Sequence, residues 1–212
     1  MRSSKVQQKE SRRPHIARIN FALFYRSAFS SAKESRSFYE RVKKLSEKRR
    51  DPQTILHQAA RMIWLADRID NVARRRPSFQ VMFYLTTAEL VAKLVFKYNG
   101  ESRSREFVRK FFEEICTQEH QTRLAQGFTD LTRSSGLSCR EVVDLLYDVR
   151  CDVVHRGQYF SFNLQSEQSS VAMLTNARPH WLSHIKLSEL RQIVLEGVIQ
   201  GCRRAAYPYL RK

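Results

Sequence analysis

The sequence predicts an all-α fold, a helical bundle with a basic N-terminal arm, and three observations carry that expectation. Only six Gly and five Pro interrupt 212 residues, so long helices meet few breakers. Beyond residue 50, apolar residues recur at i, i+3, i+4 and i+7 through most of the chain. Helix start and stop signals bracket those runs. A chain of this length suits one domain with a sizeable core. It is expected to divide into an arm, residues 1–50, and a helical domain, residues 51–212.

The elements follow in order. Asp51 and Pro52 make an N-cap and first-turn pair. Ile55, Leu56, Ala59, Met62, Ile63, Ala66, Ile69 and Ala73 then follow at helical spacing until Arg74, Arg75, Arg76 and Pro77 end the helix. The next helix, from about Phe79 to Tyr98, is apolar on nearly all sides, which marks a central, buried element. Asn99-Gly100 closes it, and Ser104 can cap a third helix carrying Phe107, Val108, Phe111, Phe112 and Ile115. A short helical continuation ends near Gly127.

Ser138 followed by Glu141 is a capping box, in which hydroxyl and carboxylate each satisfy an otherwise unpaired backbone donor. Val142, Leu145, Leu146, Val149 and Val153 then make one apolar stripe, and Gly157 supplies a helix stop. Between Gln158 and Lys186 the pattern lapses: Tyr159, Phe160 and Phe162 suit a short strand, and residues 165–170 read as loop. A last helix, about Ser188 to Ala206, turns Leu190, Ile193, Val194, Val198 and Cys202 inward and stops at Pro208.

The formal net charge is +17, and it is uneven. The first 50 residues hold 15 Lys and Arg against four Glu, net +11, and the remaining 162 hold 23 against 17, net +6. Such a charge attracts phosphate backbones through counterion release, with an anionic membrane or plain solubility as the alternatives. The arm's Phe21, Phe24, Tyr25, Phe29, Phe38 and Tyr39 suit either base stacking or, more commonly, a core. Its Arg- and Ser-rich start also imitates an organelle transit peptide, but Arg12, Arg13 and Pro14 break the early amphipathic pattern.

The chemistry-bearing segment is Tyr147, Asp148, Val149, Arg150, Cys151, Asp152, Val153, Val154, His155, Arg156 and Gly157, an Arg-x4-His motif ending an amphipathic helix. It resembles the active-site signature of the HEPN family, whose members include many metal-independent ribonucleases. On an ideal helix Arg150 and His155 lie roughly 140° and about 7.5 Å apart, too far around for side-chain pairing. Two such helices meeting across a two-fold axis would bring both pairs to one cleft, the arrangement the resemblance implies. It further implies a homodimer cutting single-stranded or loop RNA without cofactor or metal, used as a toxin or phage-defence effector, with an antitoxin or regulatory protein as partner.

In that reading His155 serves as general base or acid toward the ribose 2′-hydroxyl or the leaving oxygen, a task suited to an imidazole. Arg150 stabilises charge on the scissile phosphate. Asp152 and Asp148 precede His155 by three and seven residues on its side of the helix, so either can orient the ring. The family often has a polar residue directly after the arginine, where this chain has Cys151. The segment Tyr84 to Lys97 resembles the Apea-like HEPN branch, whose early helix carries a glutamate among apolar residues. Here that is Glu89, and a carboxylate in so apolar a helix needs a partner. Arg150 is the candidate, making Glu89, with Asp148 and Tyr147, a support for the guanidinium; pairing with Lys93 at i+4 or reaching to solvent is the alternative. RNA contacts are assigned to Arg156, Arg12, Arg13, Lys43 and Lys44, and the loop after Gly157 either covers RNA or merely connects. Without the resemblance, Arg150 and His155 are two cations favoured by a helix C-terminus.

Other chemistries lack their parts. There is no Gly-rich phosphate loop, His-Glu-x2-His pair or serine elbow. His180 and His184 are spaced to ligate a metal on a helix, but no third ligand is near. Cys116, Cys139, Cys151 and Cys202 show no paired spacing, which points to a cytoplasmic protein without a zinc site or disulfide framework. The most apolar stretch, Val81 to Tyr98, carries Glu89 and Lys93 and is too polar for a membrane span.

Overall fold

The computed structural model describes residues 19–73, 76–132, 135–158, 164, 172–173, 181–207 and 209. It is an all-α bundle: α1 (Phe21–Phe24), α2 (Ala32–Leu45), α3 (Asp51–Ile69), α4 (Pro77–Val95), α5 (Ser104–Lys110), α6 (Gln118–Gln126), α7 (Cys139–Cys151) and α8 (Leu187–Ala205). Two π-turns extend α5 and α7, over Phe111–Ile115 and Asp152–Arg156. β1 (Phe128–Asp130), β2 (Ala172–Met173) and β3 (Trp181–Ser183) form an antiparallel sheet in the order β1-β3-β2. These strands escape the sequence pattern because two or three residues are too few to show an alternation.

α4 occupies the centre, packed by α3, α5, α7 and α8. Its Val81, Tyr84, Leu85, Ala88, Val91 and Ala92 are buried, as the all-round apolar composition predicts. α8 lies close to the π-turn after α5 at Gly197 and to α4 at Gly201. A Cβ on the first would lie 2.4 Å from the Phe111 ring, and on the second 2.4 Å from Val91. The close approach offsets the cost of about 1 kcal/mol that each glycine imposes on a helix interior.

The boundary at residue 50 is corrected. Tyr25, Phe29, Phe38, Val42 and Leu45 are buried in the same core as α3, α4 and α8, and the Tyr25 hydroxyl donates to the Leu56 carbonyl at 2.8 Å. The arm's aromatics bury too much apolar area to remain outside, so the body begins by residue 19. Ser31 caps α2 by accepting the Glu34 N–H at 3.1 Å, a start signal that stood in the sequence unread.

Two helix ends differ from the expectation. α4 closes not at Asn99-Gly100 but through Lys97, which takes φ +54°. The Tyr98 N–H reaches the Lys93 carbonyl at 2.9 Å and the Lys97 N–H reaches Leu94 at 3.3 Å, the two bonds of a Schellman stop. Ser104 does not cap α5. It is the first helical residue, after Arg103 at φ +67°, and its hydroxyl donates elsewhere. None of the described helices is long and apolar enough to cross a membrane.

Candidate active site around Arg150 and His155

α7 begins as the sequence predicts, with Ser138 and Glu141 exchanging capping hydrogen bonds. Val142, Val143 and Leu146 fix its inner face, leaving Tyr147 and Arg150, three apart, directed toward α4 and α5. Arg150 Nη2 donates to Glu89 Oε2 at 3.1 Å, and Nη1 lies 3.3 Å from the Tyr147 hydroxyl. The Glu89 carboxylate is shared. Its Oε1 also accepts from Lys93 Nζ at 2.8 Å and from the Ser104 hydroxyl at 2.7 Å.

Both readings of Glu89 therefore hold at once: it pairs with Lys93 one turn along α4 and with Arg150 across to α7. Ser104 is the partner that sequence reasoning missed. Its position at the start of α5 looked like a cap, and only the packing of α5 on α4 directs the hydroxyl to Glu89. Arg150 is 16% exposed and Glu89 11%, so the pair is largely removed from water. Arg150 Nε is buried without a hydrogen-bond partner among the described residues.

Tyr147 lies between two guanidinium groups, Arg150 at 5.2 Å and Arg105 of α5 at 4.7 Å from its ring centroid. Cation–π contacts of this kind hold planar cations against a ring face. Arg105 also pairs with Asp148 and, at 3.9 Å, with Asp144, while Arg109 grips Asp144 through two bonds of 2.7 Å. The exposed edge of α7 is thus bound to α5 by a row of ion pairs.

His155 stands apart from this network. It is exposed and has no hydrogen-bond or ion-pair partner among the described residues. Neither Asp148 nor Asp152, expected to orient its ring, pairs with it among the described residues. Asp148 is taken by Arg105, and Asp152 by Arg156 at 3.1 Å, a pair four residues apart on the same turn. Arg156 keeps most of its surface in solvent.

The π-turn alters the geometry expected of the motif. The Gly157 N–H reaches back five residues to the Asp152 carbonyl, and Gly157 closes the helix at φ +62°. A π-turn spreads one extra residue around the circle, so its residues advance by less than an α-helix's step. His155 is therefore rotated back toward the side of Arg150 relative to the α-helical position. No hydrogen bond joins the two.

The remaining assignments separate in space. Lys43 and Lys44 are exposed on α2, a helix that packs on α1 and α3 rather than on α7. Arg12 and Arg13 lie outside the described residues, as do His180, the Tyr159–Phe162 stretch and residues 165–170. His184 follows β3 and lies 3.0 Å from the Thr129 hydroxyl, so the helical spacing invoked for a His180–His184 pair does not exist. Among the described residues no three His, Cys, Asp or Glu gather as a metal-ligand group. Cys116 and Cys202 are buried, and burial pushes both thiols well above their ordinary range. No family model, no curated protein and no solved structure matches this chain.

Proposed function

We propose that this chain is a HEPN-type endoribonuclease, working as a homodimer on single-stranded or loop RNA without a metal. The observation that carries the reading is the division of roles in the motif: Glu89 holds the Arg150 guanidinium, while His155, five residues on, is exposed and without a partner among the described residues. In the proposed reaction His155 takes the ribose 2′-hydroxyl proton as that oxygen attacks the adjacent phosphorus. The bond from phosphorus to the 5′ oxygen breaks, and the leaving oxygen gains a proton from the second protomer's His155 in its protonated, imidazolium form. The products are a 2′,3′-cyclic phosphate and a 5′-hydroxyl. Arg150 stabilises the phosphate oxygens as charge builds on them. Such an enzyme suits a toxin or phage-defence effector restrained by an antitoxin or regulatory protein.

The test is incubation of the purified protein with a labelled RNA pool in EDTA, beside His155→Ala. Cleavage that leaves cyclic phosphate ends and falls at least about 100-fold in the variant is expected. Strict dependence on added Mg²⁺ or Mn²⁺, or full activity in His155→Ala, removes the ribonuclease reading. Light scattering reads the dimer.

A specific observation favours a second reading, a non-catalytic module that binds RNA or a protein partner. Arg150 is mostly buried and already paired within its own chain, as a structural cation would be. RNA binding with no turnover in either wild type or variant selects that reading.

A further inference from the structure

We propose that the outer face of α2, together with the ring cluster where α1, α2 and α3 meet, is a binding surface for single-stranded RNA. It is separate from the Arg150–His155 site. Two independent observations converge on it.

The first is charge. Residues 33–48 hold six Lys and Arg against three Glu. Lys33, Arg36, Lys43 and Lys44 are exposed and have no ion-pair or hydrogen-bond partner among the described residues. Five arginines elsewhere are held within the fold: Arg103, Arg105, Arg109, Arg140 and Arg191 are each paired with a carboxylate. Among the described residues the α2 face thus groups four cations without a carboxylate partner, and one of its three glutamates, Glu34, accepts from the Ser30 hydroxyl at 2.6 Å.

The second is aromatic. Tyr39 of α2 and His57 of α3 lie side by side, with Oη 3.4 Å from Nε2, and Phe21 of α1 lies near-parallel to both, its centroid 4.1 Å from His57 and 5.7 Å from Tyr39. All three rings are only partly buried. Arg36 and Lys43 stand three before and four after Tyr39, on its side of α2, and the exposed Arg61 stands four after His57. Half-open rings flanked by unpaired cations match the chemistry of an unpaired strand, whose bases stack while its phosphates meet the charges. A duplex offers no free base faces, and a lipid surface has no use for a polar, hydrogen-bonded Tyr–His pair.

The experiment measures binding of a labelled 2′-O-methyl oligouridine by fluorescence anisotropy across a salt series. That probe has no free 2′-hydroxyl and cannot be cleaved by the proposed reaction, so its outcome is independent of whether the chain is a ribonuclease. Arg36→Gln/Lys43→Gln, both exposed and harmless to folding, is expected to weaken binding several-fold. It should lower the slope of log K against log salt by about 1.4, the share of two single-strand phosphate contacts. Tyr39→Leu, first shown to melt cooperatively, is expected to weaken oligouridine binding by about fivefold or more while leaving duplex RNA binding unchanged. Unchanged affinity and slope in the double variant overturn the proposal. So does a wild-type protein that binds phosphatidylserine vesicles through these residues and ignores the oligouridine.

Discussion

Glu89 shows how one carboxylate organises three elements. Buried in an apolar helix, it needs compensation, and it receives it from Lys93 on its own helix, Ser104 on α5 and Arg150 on α7. The arrangement is asymmetric. Glu89→Ala would leave two cations without their carboxylate, whereas Arg150→Ala would leave Glu89 with two partners. Urea unfolding is expected to show a loss of about 3 kcal/mol for Glu89→Ala against about 1 kcal/mol for Arg150→Ala; equal losses would mean that Arg150 alone carries the pairing. His57 supplies a second prediction at this scale. Burial first, and Arg61 second, hold its imidazole below the ordinary value. The unfolded chain therefore takes up a proton near pH ~6.5 more readily than the native one, and native stability falls as pH drops through that value. Thermal melts between pH 7.5 and 5.5 should show a steeper decline in the wild type than in His57→Gln. Parallel declines would show that His57 contributes no such linkage.

At the scale of the element, α4 ends with a lysine where a glycine would cost less. Lys97 holds a left-handed conformation that strains a side-chain-bearing residue, and it is exposed, so nothing else requires lysine there. Lys97→Gly is expected to raise stability by about 0.5–1 kcal/mol, read from the denaturation midpoint. A loss instead would mean that the side chain contributes something its geometry does not show. The C-terminal end of α7 follows a different logic. Its capping box, apolar stripe and terminal Gly157 were all legible in the sequence. The π-turn was not, because no residue type at Asp152–Arg156 marks an i→i+5 bond in place of an α-helical one.

For the whole molecule, the N-terminal segment decides how the protein can be cut. Deleting residues 1–50 removes Tyr25, Phe38 and Val42 from the core, and the truncated chain is expected to lose its cooperative thermal transition. Deleting residues 1–18 removes none of the described packing and is expected to keep it. Circular dichroism on the two truncations distinguishes these outcomes, and a cooperative melt in the longer deletion would show that residues 51–212 fold alone.

The sequence by itself determined the helical class, the order of α3 to α8 within a few residues, the central place of α4 and the start of α7. Each rests on a periodicity or cap that is local to one segment. That Glu89 needs a partner was legible, since a carboxylate in an apolar helix demands one, but whether Lys93 or Arg150 supplied it stayed open until the packing showed both. Only the tertiary structure decided which carboxylates His155 lacks, because Arg105 and Arg156 claim Asp148 and Asp152 through distances that no spacing reveals. It likewise decided that α1 and α2 belong to the core, and that Phe21, Tyr39 and His57 meet. Those outcomes join residues far apart in the chain, and they follow from which faces are left to bury once each helix has formed.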